Sequence, residues 1–294
     1  MIKRKLLILA LILFLSGQAA AQEWKPAGDK IKSRWAEKVD PAKPLAEYPR
    51  PQMKRDDWIS LNGLWDYAIF NRGALKPEKF DGKILVPFAV ESSLSGVQKT
   101  VGEDKELWYE RSFEIPQAWK GQRILLNFGG VDWLTDVWIN DVKIGQHKGG
   151  YDPFSFDISP FLKEAGEQKL LVRVWDPTDR SYQPRGKQVS NPGSIWYTAV
   201  TGIWQTVWLE PVNEKYIRNV HSVPDIDKNK LTVRVMADGV SDRDYFEVIA
   251  IEGNKAISRA IARAGEEAEL PMSCLLYTSP SPRDRTRSRM PSSA

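Results

Sequence analysis

Gly129-Gly130-Val131-Asp132-Trp133-Leu134-Thr135-Asp136-Val137-Trp138-Ile139-Asn140-Asp141 is the stretch on which the fold turns. A short apolar strand, Asp136–Ile139, runs into Asn140-Asp141, a pair that tolerates the positive φ of a tight hairpin. Val142-Lys143-Ile144-Gly145 then alternates back. Other segments show the same two-residue period. Leu64–Phe70 follows the turn signal Asn62-Gly63, and Lys83–Pro87 follows Asp81-Gly82 and ends on a proline. Leu107–Ile115, Arg123–Phe128 and Lys169–Trp175 complete the set. Six or more short strands separated by turn residues predict an all-β fold, an antiparallel β-sandwich of the jelly-roll type.

The two ends read differently from the middle. Lys3, Arg4 and Lys5 precede an unbroken apolar run, Leu6–Leu15, and then Ala19-Ala20-Ala21. This is the pattern of a secretory signal over 1–21, too short to span a bilayer as a helix. It predicts an exported protein, periplasmic or secreted, with no membrane association once the signal is removed. At the other end, 274–294 shows no strand or helix period, and Cys274-Leu275-Leu276-Tyr277-Thr278-Ser279-Pro280 onward resembles a translated sequencing adapter. It is expected to be non-native and is set aside from fold reasoning. The whole chain carries +4. Removing the three cations of the signal, and the tail's four Arg against Asp284, turns that into −2. The basic balance is therefore no sign of a nucleic-acid partner. The single Cys lies in the tail, so the remainder has no disulfide and no Cys-ligated metal, and must hold itself together by its apolar core.

All 12 Trp fall between Trp24 and Trp208, and Glu210-Pro211 follows the last of them. That composition step divides the chain into a leader segment at 22–57, a sandwich at 58–212 and a second region at 213–273. The second region alternates over Lys230–Ala237 and Tyr245–Ile251, in the manner of an immunoglobulin-like sandwich. A full domain of that type needs about seven strands and about 100 residues, so an incomplete one is expected here.

Three segments occur in order: the Gly129–Asp141 stretch, Gly149-Gly150-Tyr151-Asp152-Pro153-Phe154-Ser155-Phe156-Asp157-Ile158, and Thr201-Gly202-Ile203-Trp204-Gln205-Thr206-Val207-Trp208-Leu209-Glu210-Pro211. Together they resemble the N-terminal sugar-binding domain of glycoside hydrolase family 2, the family of β-galactosidases, β-glucuronidases and β-mannosidases. The resemblance implies a carbohydrate substrate and a retaining hydrolase, with two carboxyl groups about 5–5.5 Å apart in a (β/α)₈ barrel. It also implies that these sandwiches pack on that barrel. No βαβ alternation appears in the chain, so no catalytic residue is assigned. Asn213-Glu214 matches the family's acid/base dipeptide but follows the sandwich's last strand, and reads as a solvated linker.

The resemblance points to Asp176, in Val174-Trp175-Asp176-Pro177-Thr178-Asp179, as an acid reaching the sugar pocket from the side, since a carboxylate accepts two hydroxyls at once. Asp179 is the alternative, and an Asp that merely initiates a turn is the plainer reading of either. Trp196 offers an apolar ring face to a sugar or, as is commoner for a Trp in a β-sandwich, packs in the core. Arg185 and Lys187 face an acidic sugar or solvent. The loop 98–106 lacks the Asn that some β-galactosidases carry there, which counts against simple β-galactosidase identity. Asp132 and Asp136 flank Trp133, but Asp136 reads as a strand start rather than a cation ligand, and His147 and His221 have no third ligand in view for a zinc site or a triad. No cofactor and no metal are assigned.

Overall fold

The computed structural model describes residues 24–29 and 31–272. The expected signal and the tail lie outside that range. Cα packing divides the chain into two units. The first takes the leader up to Pro49, then Trp58–Ala118 and Leu125–Glu210. The second takes Arg50–Asp57, Trp119–Ile124 and the chain from Pro211.

The first unit holds β1 (Ile59–Ser60), β2 (Gly63–Asn71), β3 (Gly82–Val86), β4 (Lys105–Phe113), most of β5 (Arg123–Phe128), β6 (Val131–Asp132) and β7 (Leu134–Ile139). It continues with β8 (Val142–Lys148), β9 (Phe154–Asp157), β10 (Gln168–Trp175), β11 (Gln188–Val189), β12 (Tyr197–Thr198), β13 (Gly202–Ile203) and most of β14 (Val207–Val212). Six strands form one sheet in the order β3-β2-β4-β10-β7-β8, and four form another in the order β1-β14-β5-β9. The expected β-sandwich is present. The hairpin of the opening stretch is also as expected: Ile139 pairs with Val142, and Asn140 and Asp141 have φ of 48° and 67°.

Alternation along the six-stranded sheet separates two faces. Trp65, Tyr109, Val172 and Val137 point to one side and are fully buried. Trp65 and Tyr109 meet edge to face with centroids 6.2 Å apart. On the opposite face Trp108 stacks on Trp138 at 5.6 Å, and the Arg173 guanidinium lies over both rings. Asp136 belongs to this face. It sits within β7, not at its start, because its carboxylate is drawn into the row by Arg173, Lys143 and Gln146. Burial opposes its ionisation, but hydrogen bonds from Lys143, Arg173 and Gln146 hold the group below the usual carboxylate range.

The four-stranded sheet explains two further features. Every residue of β14 is buried, Glu210 included. The Glu210 Oε1 accepts from Trp208 Nε1 at 2.7 Å and from the hydroxyl of Tyr48, so the leader satisfies that buried carboxylate. Asn62-Gly63 is not a hairpin turn. The chain leaves β1 in the four-stranded sheet there and enters β2 in the six-stranded sheet. Asn62 is buried because it ties the crossing together: its Nδ2 donates to Pro44 O and Thr206 Oγ1, and its Oδ1 accepts from Val207 N at 3.0 Å. Asn62→Ala leaves these groups unpaired, and a loss of about 2 kcal/mol in urea unfolding is expected.

The second unit holds β15 (Tyr216–Asp225), β16 (Lys230–Asp238), β17 (Tyr245–Glu252), β18 (Lys255–Arg263) and β19 (Glu267–Pro271), as a sheet β15-β16-β19 and a hairpin β17-β18. Val233, Val235, Ala262, Ala268 and Leu270 form its small core. The leader does not act as one piece. Arg55 donates to Ile217 O and lies over the Tyr216 ring at 5.8 Å, which assigns Arg50–Asp57 to this second unit.

Candidate functional site: a long loop on a buried carboxylate base

Between β10 and β13 the chain runs from Asp176 to Thr201 with only the two-residue strands β11 and β12, which pair in parallel. Pro177, Pro184, Gly186, Pro192 and Gly193 keep this segment from forming longer strands. All four sequence-predicted site residues lie on it, and they divide into a base and a crown.

Asp176 is in the base. It is 3% exposed, and its carboxylate is committed to the chain's own donors. Oδ1 accepts from Thr178 N at 2.7 Å and Gln183 Nε2 at 3.4 Å, and Oδ2 from Thr201 Oγ1 at 3.0 Å and Thr178 Oγ1 at 3.3 Å. Its first job is therefore to clamp both feet of the loop. It retains the turn-initiating contact to Thr178 that an Asp before Pro suggests. Burial raises its pKa, against hydrogen bonds from Thr178, Thr201 and Gln183 that lower it.

Asp179 anchors the next level. Its Oδ1 accepts from the Ser190 hydroxyl and, at 3.3 Å, from Ser190 N, and the hydroxyl bond holds its pKa down. Arg185 Nη1 donates to Asp179 O at 3.4 Å. Trp196 belongs to the crown. It is 44% exposed, beside Tyr197 and Ile195, which are also exposed, so the core-packing alternative does not hold for it. Lys187 Nζ lies 5.9 Å from the Tyr197 ring centroid.

Sequence reasoning missed the acids beneath the loop. Glu91 is 3% exposed and its Oε2 accepts from Thr201 N at 2.9 Å. Burial pushes it up to about 7, with Asp176 adding repulsion. Asp132 follows β6's Val131, and burial, then Asp176 and then Glu91, push it up to about 8. The Tyr109 hydroxyl, which accepts from Ile203 N, is pushed strongly up by burial with Glu91 contributing. One signal was available: Glu91 is the only charged residue between Lys83 and Lys99, in an otherwise apolar and small-residue stretch. No group of three or more His, Cys, Asp or Glu among the described residues has metal-binding geometry.

The family model described as "Glycosyl hydrolases family 2, sugar binding domain" matches residues 96–210, a span that contains this loop and most of the sandwich. Residues 96–210 belong to glycosyl hydrolase family 2. Among curated relatives, a "Beta-galactosidase" of Thermoanaerobacter pseudethanolicus is 33% identical over 162 residues, 54% of this chain and 20% of the relative. A "Beta-glucuronidase" of Sus scrofa is 26% identical over 234 residues, 68% of this chain and 35% of the relative. The solved "Lactobacillus rhamnosus Beta-glucuronidase" shares the fold with a TM-score of 0.59 at 22% identity, over 78% of this chain and 40% of that one. The chain thus spans between a fifth and about a third of the length of these curated relatives.

Proposed function

We propose that this chain is the sugar-handling portion of an exported family 2 β-glycosidase of the β-galactosidase or β-glucuronidase type. In that enzyme the two catalytic carboxyl groups lie in a (β/α)₈ barrel outside these residues, and the sandwich presents its 176–201 loop to the sugar. The observation that carries this reading is the match of residues 96–210 to the family's sugar-binding domain, together with a loop whose base is rigid and whose crown is aromatic and exposed. Trp196 and Tyr197 supply ring faces for the apolar side of a pyranose, while Arg185 and Lys187 suit a hydroxyl-rich or anionic rim. Asp176 serves this function from below, by holding the loop.

The buried acids do not replace the missing pair. Asp176 has no open face, and Glu91 is taken up by Thr201. Incubating the 294-residue chain with chromogenic β-galactosides, β-glucuronides and β-mannosides is expected to give hydrolysis no faster than the buffer blank. Hydrolysis abolished by Glu91→Gln or Asp132→Asn would overturn the assignment of chemistry to another part of the enzyme. A second reading, a free-standing carbohydrate-binding module, draws on the same exposed rings. Calorimetry separates the two, because only a free-standing module requires saturable glycan binding by this chain that is lost in Trp196→Ala.

A further inference from the structure

We infer that Glu91, Asp132 and Asp176 form a proton-held latch at the base of the 176–201 loop, with Asp132 as the group whose proton keeps it shut. Three carboxyl groups from three separate segments converge at one end of the sandwich: Glu91 after β3, Asp132 in β6 and Asp176 after β10. Glu91 and Asp176 are joined through one residue, and Asp132 lies beside it, paired with Gly202 across β6 and β13. Thr201 gives its N–H to Glu91 and its hydroxyl to Asp176, and Thr201 is fully buried. Asp176 also holds Thr178 and Gln183, so the same cluster grips the loop where it leaves the sheet and where it returns.

Glu91 and Asp176 each receive hydrogen bonds that suit a carboxylate. Asp132 does not. Its Oδ1 is buried and has no hydrogen-bond partner among the described residues, and a Cβ at Gly150 would stand only 2.6 Å from it. Gln183 is 7% exposed, and its Oε1 likewise lacks a partner while the same amide touches Asp176. A buried carboxyl oxygen without a donor is far more stable protonated than charged.

The charges that act on Asp132 do nothing to neutralise it, and Lys32 lines the pocket on the Glu91 side of the cluster. The neighbours that act electrostatically on Asp132 are Asp176 and Glu91, both acids. From β4 comes the Tyr109 hydroxyl, which stays protonated. Beyond Gly150, the His147 Nε2 and Asp152 lie against Gly149, and burial keeps His147 below its usual range, so it is neutral when Asp132 titrates. A pocket of about 310 Å³ lined by Glu91, Ser92, Ala199 and Val200 gives solvent a route to one side of the cluster.

The direction follows from linkage. Each acid here is raised in the folded state, so the native loop binds more protons than the opened one. The latch is closed at mildly acidic pH and loses strength as pH climbs from the ordinary carboxylate range through about 8. Deprotonating Asp132 leaves adjacent negative charges in a buried site, and the loop opens to hydrate them. The latch stands independently of which sugar the crown meets.

The test is tryptic cleavage within the loop, after Arg180, Arg185 or Lys187, in the full 294-residue chain, normalised at each pH to trypsin's rate on a small chromogenic substrate. The normalised rate is expected to rise roughly tenfold between pH 6 and pH 9, the equivalent of about one pKa unit of coupling. Asp132→Asn, neutral at every pH, is expected to lose most of that rise and to keep only the part centred near pH 7 that Glu91 supplies. Glu91→Gln removes one of the two acids acting on Asp132, and shifts the midpoint to lower pH. Infrared spectra of Glu91→Gln at pH 6 should retain a protonated-carboxyl band, and wild type should show a stronger one than Asp132→Asn. A pH-independent wild-type rate, or the same rise in Asp132→Asn, would overturn the latch. If Asp132→Asn fails to fold, the infrared band and the midpoint of Glu91→Gln decide. Absence of the band, or an unmoved midpoint, then overturns it.

Discussion

Asp176→Ala is expected to destabilise the first unit by about 3 kcal/mol and to release the 176–201 loop, rather than simply weaken a sugar contact. The reason is the number of donors it satisfies. Removing the carboxylate leaves Thr178 N, the Thr201 hydroxyl and the Gln183 amide unpaired in a site that is 3% open to solvent at Asp176 itself. Each stranded buried donor costs about 1–3 kcal/mol, and the total is tempered by water entering the new cavity. Asp176→Asn keeps the shape but turns one acceptor into a donor, so an intermediate loss of about 1–2 kcal/mol is expected. Unfolding in urea followed by tryptophan fluorescence reads both values, since Trp65, Trp108 and Trp208 all report on this sandwich. A change within about 0.5 kcal/mol for Asp176→Ala would show that the carboxylate is not the loop's clamp.

Gly202→Ala is expected to cost about 3–4 kcal/mol, although it adds one methyl group. Gly202 has φ of 90°, where an L-residue is strained by about 1–2 kcal/mol. A Cβ there would also stand 2.0 Å from the Tyr109 hydroxyl and 2.9 Å from Leu107 Cδ2. Neither neighbour can give way, because Leu107 and Tyr109 are fully buried and the Tyr109 hydroxyl accepts the Ile203 N–H. The damage reaches the loop directly, since Gly202 follows Thr201, the residue that both Glu91 and Asp176 hold. Thermal unfolding of Gly202→Ala should begin well below wild type, and tryptic cleavage in the 176–201 loop should be faster. A wild-type melting curve would contradict the close packing of β13 on β4.

The sandwich was legible in the sequence because each strand carries its own signal. Leu64–Phe70 and Lys169–Trp175 alternate, and each is bounded by a turn residue, so their extents in β2 and β10 differ from the reading by only a residue or two. The Asn140-Asp141 turn could be read because those residue types report on a local backbone conformation. Asn62-Gly63 misled for the opposite reason. The same dipeptide that closes hairpins serves here to cross between sheets, and what distinguishes the two is a set of partners at Pro44, Thr206 and Val207 that only the tertiary structure supplies.

The candidate site was half legible. A loop rich in Pro, Gly and polar residues, with Asp176 at its start and Trp196 near its end, stands out in the chain. The exposure of Trp196 and the burial of Asp176 do not, since both residue types are common in either environment. The Glu91–Asp132–Asp176 convergence was invisible because its members are separated by 41 and 44 positions and meet only through the packing of β3, β6 and β10.

Amide hydrogen exchange across 176–201 tests most directly whether this loop is fixed at its feet and free at its crown. The Thr178 and Thr201 amides, bonded to Asp176 and Glu91, should exchange slowly at pH 6, on the timescale of the surrounding sandwich, while Asn191–Ile195 exchanges rapidly. Fast exchange at Thr178 and Thr201 under those conditions, indistinguishable from that of Asn191–Ile195, would contradict a loop held from below by buried carboxyl groups.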